Sequence, residues 1–297
     1  MAASDAHNVY DTIELISAVG VKKSKQRIDH TIIKAFLAGV LLSFGGLFLL
    51  IVGGGSAPLA QSLGPSIHKM IQAAVFPIGL ILIVITGADL FTGNTMILTV
   101  STLHRKTTCF DLIISWIITF FGNLVGCLFF QCILVYYAGL LSNDPYRSFT
   151  VKYAEVKGNI EWHQIFLRGI GGNWLVCLAV WLGTSARELH SKVIGIYLPI
   201  WLFIAVGYEH SIANMFTVQM GMMLGADLSV GKYILRTLIP VTLGNIVGGG
   251  FFVGFTYWYL YLAKKVDTDS KIDFESPVGK GYQIVKQHEK IQQAQQS

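Results

Sequence analysis

Apolar residues run through this chain in six stretches, near 32–54, 67–100, 108–141, 164–185, 191–223 and 232–262. Each reaches the roughly 20 residues that a helix needs to cross a bilayer. The pattern predicts an all-α integral membrane protein with six transmembrane helices. The second and fifth stretches are overlong, and each is interrupted by polar residues and a glycine: Gly87-Ala-Asp89-Leu-Phe-Thr92-Gly-Asn94 and Gly207-Tyr-Glu209-His210-Ser-Ile-Ala-Asn214. Lipid offers backbone groups no partner, so these two segments read as broken helices whose freed backbone groups line a polar cavity.

The two interruptions are copies. Each places an acid two residues after a glycine and an asparagine five residues after the acid. Phe121-Gly-Asn123-Leu-Val-Gly126 in the third stretch recurs as Leu243-Gly-Asn245-Ile-Val-Gly248 in the sixth, and Phe36-Leu-Ala-Gly39 in the first as Phe166-Leu-Arg-Gly169 in the fourth. Three landmarks thus repeat in one order. Three spans per half is an odd number, so the second half must lie upside down relative to the first, a 3+3 inverted repeat with helices 2 and 5 broken. One transmembrane domain is expected over 1–297, with a core of about 19–262 and a cytoplasmic tail, 263–297, that is solvated or partly disordered.

Composition agrees with the pattern. Of 297 residues, 53% are hydrophobic and only 13% charged, with a mean hydropathy of +0.57, too little charge to solvate a soluble domain of this size. Cys109, Cys127, Cys132 and Cys177 fall in or beside apolar stretches and read as small hydrophobes, not as a disulfide or metal framework. The N-terminus carries Asp5, Asp11 and Glu14 before a basic cluster, which does not fit a cleavable signal peptide. Lys22, Lys23, Lys25, Arg27, Lys34, Arg105, Lys106, Arg187, Lys192, Lys264, Lys265, Lys271, Lys280, Lys286 and Lys290 all fall on one side of the six crossings. They are 15 of the 22 Lys and Arg residues, so both termini are expected in the cytoplasm, with the chain multi-pass in the plasma membrane.

Candidate chemistry sits at the interruptions. His210 is the one histidine deep inside a predicted span, and an imidazole titrates nearest to physiological pH. It either handles a proton or donates a hydrogen bond that holds the interrupted loop. Thr92 holds the corresponding place in the second span and either faces the pore axis or bonds back to its own helix. Asp89 and Glu209 are expected to be structural, capping backbone N–H groups freed by the breaks. Asn94, Asn123, Asn214 and Asn245 are expected to satisfy exposed backbone or neighbouring acids, and Asn173 is placed on the pathway. Lys23 is either an ordinary orientation signal or a cation that concentrates anions at a pore mouth. An enzyme using Glu209 and His210 is disfavoured, because adjacent helical residues do not face one another and nothing completes a site. A neutral-solute pore of the aquaporin kind is the competing transport reading, but no Asn-Pro-Ala occurs.

The strings Gly87–Asn94, Gly207-Tyr-Glu-His-Ser-Ile-Ala-Asn-Met-Phe216, Leu238-Ile-Pro-Val-Thr-Leu-Gly-Asn-Ile-Val-Gly-Gly-Gly250 and Thr256-Tyr-Trp258 resemble the signatures of the formate/nitrite transporter family. The likeness runs from about Val19 to Leu262. It implies an aquaporin-like fold assembled as a homopentamer with one pore per protomer, and no cofactor, metal or nucleic acid. It further implies that Thr92 and His210 meet at the pore centre. Apolar slits would be lined by Phe76, Leu80 and Phe203 on one side, and by Leu90, Phe91 and Val176 on the other. Lys23 matches a basic residue at the vestibule. The implied activity is proton-coupled transport of a small monovalent anion, nitrite or formate foremost, through the slits as the neutral acid. Acetate, lactate and hydrosulfide are substrates of the same kind. The loop from Ser142 to Trp162 has no informative match.

Overall fold

The computed structural model describes residues 5–263, and the expected tail from Lys264 onward lies outside them. The fold is helical, with six helical segments long and apolar enough to cross a membrane: Ile28–Gly55, Pro65–Thr86, Cys109–Tyr136, Trp162–Ser185, Leu189–Val206 and Val230–Tyr261. The helices in chain order are α1 (Val9–Ser24), α2 (Ile28–Gly55), α3 (Ala57–Ser62), α4 (Pro65–Val75), α5 (Ile78–Thr86), α6 (Phe91–Leu103) and α7 (Cys109–Phe129). Then come α8 (Tyr146–Gly158), α9 (Trp162–Ser185), α10 (Leu189–Val206), α11 (Ser211–Met223), α12 (Val230–Tyr233), α13 (Ile239–Ile246) and α14 (Thr256–Tyr261). Wider π-helical turns, Phe130–Tyr136, Ile234–Leu238 and Val247–Phe255, continue the third and sixth spans.

Local chemistry sets the boundaries. Asn8 caps α1 by accepting from the Tyr10 and Asp11 amides, and Thr108 with Asp111 forms a reciprocal capping box at the start of α7. The two breaks use one device. Gly87 ends α5 at φ 74° and Gly207 ends α10 at φ 82°, a left-handed conformation that glycine adopts without steric penalty. Extended residues Leu90 and His210 then start α6 and α11. Pro77 adds a kink between α4 and α5, whereas Pro199 is carried inside α10.

Packing follows the repeat. α2 lies along α7, and α9 along α13. A Cβ built on Gly126 would overlap the Phe36 carbonyl oxygen and lie 3.1 Å from Gly39 Cα; one on its counterpart Gly248 would overlap the Ile170 carbonyl oxygen and lie 3.1 Å from the Trp174 amide nitrogen. Glycine at these crossings lets two backbones touch, the usual device between helices that gain nothing by hiding from lipid. The main core gathers Phe76, Phe130, Phe203 and Phe216 among the spans. Outside it, α1 docks through Ile13 and Ile16 on α6, and α8 docks through Ala154 on α11. Each half therefore reads as a short docking helix, a span, a broken span and a span. The outer face of α7 exposes Phe110, Ile113, Ile117, Phe121 and Val125, three or four residues apart, an apolar stripe suited to lipid.

The register of the repeat differs from expectation at the first landmark. The Asp89 amide donates to the Lys34 carbonyl and the Glu209 amide to the Arg168 carbonyl, at 3.1 and 3.2 Å. These bonds pair Lys34 with Arg168 and Ala35 with Gly169, not Phe36 with Phe166. The shift is about one helical turn. Phe-Leu-x-Gly matched by composition, whereas the backbone contacts fix the true alignment.

Replacing Gly126 by leucine should force α2 and α7 apart. Overpacking of this kind typically costs about 1–3 kcal/mol, so the melting midpoint in detergent should fall by at least roughly 3 °C. Gly231→Leu, at a site where a Cβ meets nothing within 4 Å, should leave it unchanged. A Gly126→Leu protein that melts with the unaltered chain would contradict the crossing.

Candidate functional site

Two chain breaks inside a membrane protein leave backbone groups that must find partners within it. At the first break, Asn123 Oδ1 accepts from the Phe91 amide at 2.9 Å, and Asn123 Nδ2 donates to the Ala35 and Asp89 carbonyls at 2.8 and 2.9 Å. At the second, Asn245 Oδ1 accepts from the Ser211 amide at 2.9 Å, and its Nδ2 donates to the Gly169 and Glu209 carbonyls at 2.8 and 3.1 Å. Each buried asparagine pins one break to the neighbouring span. A carboxamide offers donor and acceptor together, which a carboxylate does not.

The acids do something other than the capping expected of them. Asp89 accepts from the Lys23 ammonium and, at 3.3 Å, from Gln26 Nε2. Glu209 accepts from Lys157 Nζ at 2.6 Å and Asn214 Nδ2 at 2.8 Å, while Lys157 also donates to Asn214 Oδ1 at 3.1 Å. Both carboxylates are 3% exposed and their lysines 18% and 14%, so these are largely desolvated ion pairs that tie each docking helix to its break. Burial opposes the charge on Lys157, but the facing Glu209 and Tyr153 outweigh it and hold the ammonium above the ordinary lysine range.

Lys157 is the residue the sequence reading missed. It lies on α8, within the loop that carried no informative match. A signal existed: Lys157 stands eleven residues before Arg168, as Lys23 stands eleven before Lys34, and Arg168 and Lys34 are equivalent in the repeat. Only the corrected register exposes that match.

Between the breaks, Thr92 Oγ1 and His210 Nε2 lie 2.8 Å apart, both buried. His210 Nδ1 accepts the Ala213 amide proton at 3.0 Å and so caps α11. A backbone N–H is always a donor, so the neutral ring must carry its proton on Nε2 and donate to Thr92. That leaves the Thr92 hydroxyl proton free for another acceptor. Charging the ring in place would set a second N–H against the Ala213 amide. Asn173, expected on the pathway, instead braces its wall: its Nδ2 reaches the Thr92 carbonyl, Thr95 Oγ1 and the Asn245 carbonyl at 3.2, 2.8 and 2.6 Å.

The apolar residues flank this pair. Phe76 and Phe203 pack with ring centroids 6.2 Å apart, and Phe203 meets the His210 ring edge-on at 6.1 Å. Leu80 and Leu90 line a cavity of about 610 Å³ whose mouth holds Lys22, Lys23, Lys34, Arg187 and Lys192, with Asp89 the one acid on its wall among the described residues. Such a mouth raises the local concentration of anions. Val176 is buried in the same core, while Phe91 turns its ring toward Trp116 and Phe120. Among the described residues no three His, Cys, Asp or Glu side chains converge as a metal site would need.

Comparison with known proteins places this arrangement. A family model described as formate/nitrite transporter matches residues 10–259. The chain is 39% identical over 266 residues to a probable formate transporter of Methanothermobacter thermautotrophicus, covering 85% of this chain and 96% of that one. It is 35% identical to the formate channel FocA of Escherichia coli, covering 82% and 90%. Its structure is similar to that of a pentameric formate channel with formate bound, with a TM-score of 0.68, 34% identity and coverage of 79% and 98%.

Removing Lys157 as Lys157→Met should leave Glu209 buried without its counter-charge, a loss of roughly 3–5 kcal/mol. The expected result is a marked fall in folded yield and melting midpoint, recovered at least in part when Glu209→Gln is added. A Lys157→Met protein as stable as the unaltered chain would show that the pair does not hold the break.

Proposed function

The chain belongs to the formate/nitrite transporter family, and from that premise we propose that it carries small monovalent anions of weak acids, formate and nitrite foremost, across the membrane together with a proton. The observation that carries this reading is the contrast between a cationic mouth at Lys23 and an apolar slit closed by an uncharged Thr92–His210 pair. The mouth attracts a charge that the slit rejects.

Magnitudes decide how the solute crosses. A bare carboxylate-sized ion moved into a low-dielectric slit costs on the order of 20 kcal/mol in the idealised limit. Protonating an acid with a pKa of about 4 at about pH 7 costs roughly 4 kcal/mol, three units at about 1.36 kcal/mol each. Neutralisation is by far the smaller cost. The anion is gathered at Lys23 or Lys157, passes Phe76, Phe203, Leu80 and Leu90 as the acid, and releases its proton beyond. The Nδ1 bond to Ala213 makes His210 a fixed Nε2–H donor rather than a proton carrier, so the proton comes with the solute from the aqueous mouth. Thr92 offers its hydroxyl to the passing acid.

Acetate, lactate and hydrosulfide are likewise small monovalent anions of weak acids, and the apolar slit residues do not separate them. The pentameric relative supports a homopentamer with one pore per protomer. The bias of Lys and Arg supports cytoplasmic termini in the plasma membrane, with the Lys23 mouth facing inward. The contact of Ala6 with Ala186 supports a shared side for the start of α1 and the loop between spans four and five.

Uptake of radiolabelled formate into proteoliposomes should rise as the external pH falls, approaching tenfold per unit well above the solute pKa. His210→Phe should lower the proton-coupled rate at least about tenfold, since the Thr92 hydroxyl then loses its fixed donor. Uptake indifferent to a pH gradient, or full proton-coupled flux in His210→Phe, would reject the proposal.

A further inference from the structure

The two breaks are copies in backbone but not in the polar groups they leave free. At the Lys157 break the equivalent two donors are engaged: Asn214 Nδ2 is bonded to Glu209, and His210 caps the Ala213 amide, while the buried Ser211 hydroxyl beside them has no partner. The Lys23 break differs on both counts. Asp89 is one methylene shorter than Glu209 and is held by Lys23 and Gln26, and Asn94 Nδ2, in a residue only 1% exposed, meets no acceptor. Leu90 stands where His210 stands in the other copy and gives α6 no side-chain cap; Asn123 takes the Phe91 amide alone. The Gly93 amide, counterpart of Ala213, therefore has no side-chain partner.

Gly93 and Asn94 both line the cavity behind Lys23. A buried donor left without an acceptor is costly, and the open N-terminus of a 13-residue helix carries partial positive charge. Two independent observations, a helix start whose N-cap residue offers the Gly93 amide no acceptor and a buried carboxamide nitrogen without a partner, converge on one wall of one cavity. We propose that the Lys23 mouth contains a built anion subsite, in which the Gly93 amide and Asn94 Nδ2 donate to an oxygen of a small oxyanion, and that the Lys157 break, where Asn214 Nδ2 and the Ala213 amide are already engaged, has no equivalent.

This subsite rests on the transport reading and deepens it. The anion drawn in by the lysines docks on two neutral donors beside Leu80 and Leu90, at the threshold of the slit. There it is held by hydrogen bonds that do not depend on the Lys23–Asp89 pair. The two mouths of one pore then differ in affinity, although the repeat that builds them is the same.

The test is the half-saturating concentration of radiolabelled formate, measured from each face in right-side-out and inside-out vesicles at equal pH. In Asn94→Ala that value should rise about tenfold from the Lys23 face, the lower end of what a hydrogen bond to a charged group contributes, and stay unchanged from the Lys157 face. The unchanged face doubles as the control for folding. Gly93→Ala provides a second variant, because its added methyl meets only Val180, at 3.6 Å, while it crowds the docking oxygen; the same one-sided rise is expected. Equal changes at both faces, or none in either variant, would overturn the subsite. Absence of saturable formate flux in the unaltered chain would instead reject the transport reading, and the subsite with it.

Discussion

Every other feature of this fold depends on satisfying the backbone at two breaks buried within a membrane protein. A helix crosses lipid because it bonds its own N–H and C=O groups, and a break forfeits that advantage. Here Asn123 and Asn245 make good the loss, each bridging a broken span to the span beside it through one acceptor and two donor bonds. With the breaks fixed, the chain can place polar side chains at membrane depth. Without them Thr92 and His210 would have no means of facing one another.

The repeat builds a scaffold, and departures from the repeat supply its chemistry. Asp89 and Glu209 take matching lysines from matching docking helices, which closes the scaffold electrostatically. Leu90 and His210 occupy equivalent positions yet differ entirely in chemistry, as do Thr92 and Ile212. One copy thus contributes a hydroxyl and the other an imidazole to a single contact. The Ala213 amide then fixes which ring nitrogen faces it, so the contact between the two breaks is a neutral donor chain among apolar residues.

Much of this was legible in the chain. The apolar stretches marked all six spans, and a glycine followed by an acid and an asparagine marked both breaks, because polar groups at such depth are rare enough to be informative. Thr92 and His210 followed from those breaks. Three things were not legible, each for a physical reason. The roles of Asp89 and Glu209 depended on lysines 66 and 52 residues away, which no local pattern reveals. Lys157 lay on α8, a polar helix that reads as a loop until it is seen to dock on α11. The register of the first landmark was misread because Phe-Leu-x-Gly recurs freely among apolar helices, whereas the bonds from Asp89 to Lys34 and from Glu209 to Arg168 admit one alignment.

The central claim is that solute crosses the slit without net charge, and the most direct measurement of it is simultaneous recording of interior pH and membrane potential in proteoliposomes during formate entry. Permeation as the neutral acid requires the interior to acidify by one proton for each formate taken up, with no potential developed. Formate entry that drives the interior negative and leaves its pH unchanged would mean that the bare anion passes between Thr92 and His210, and would contradict the claim.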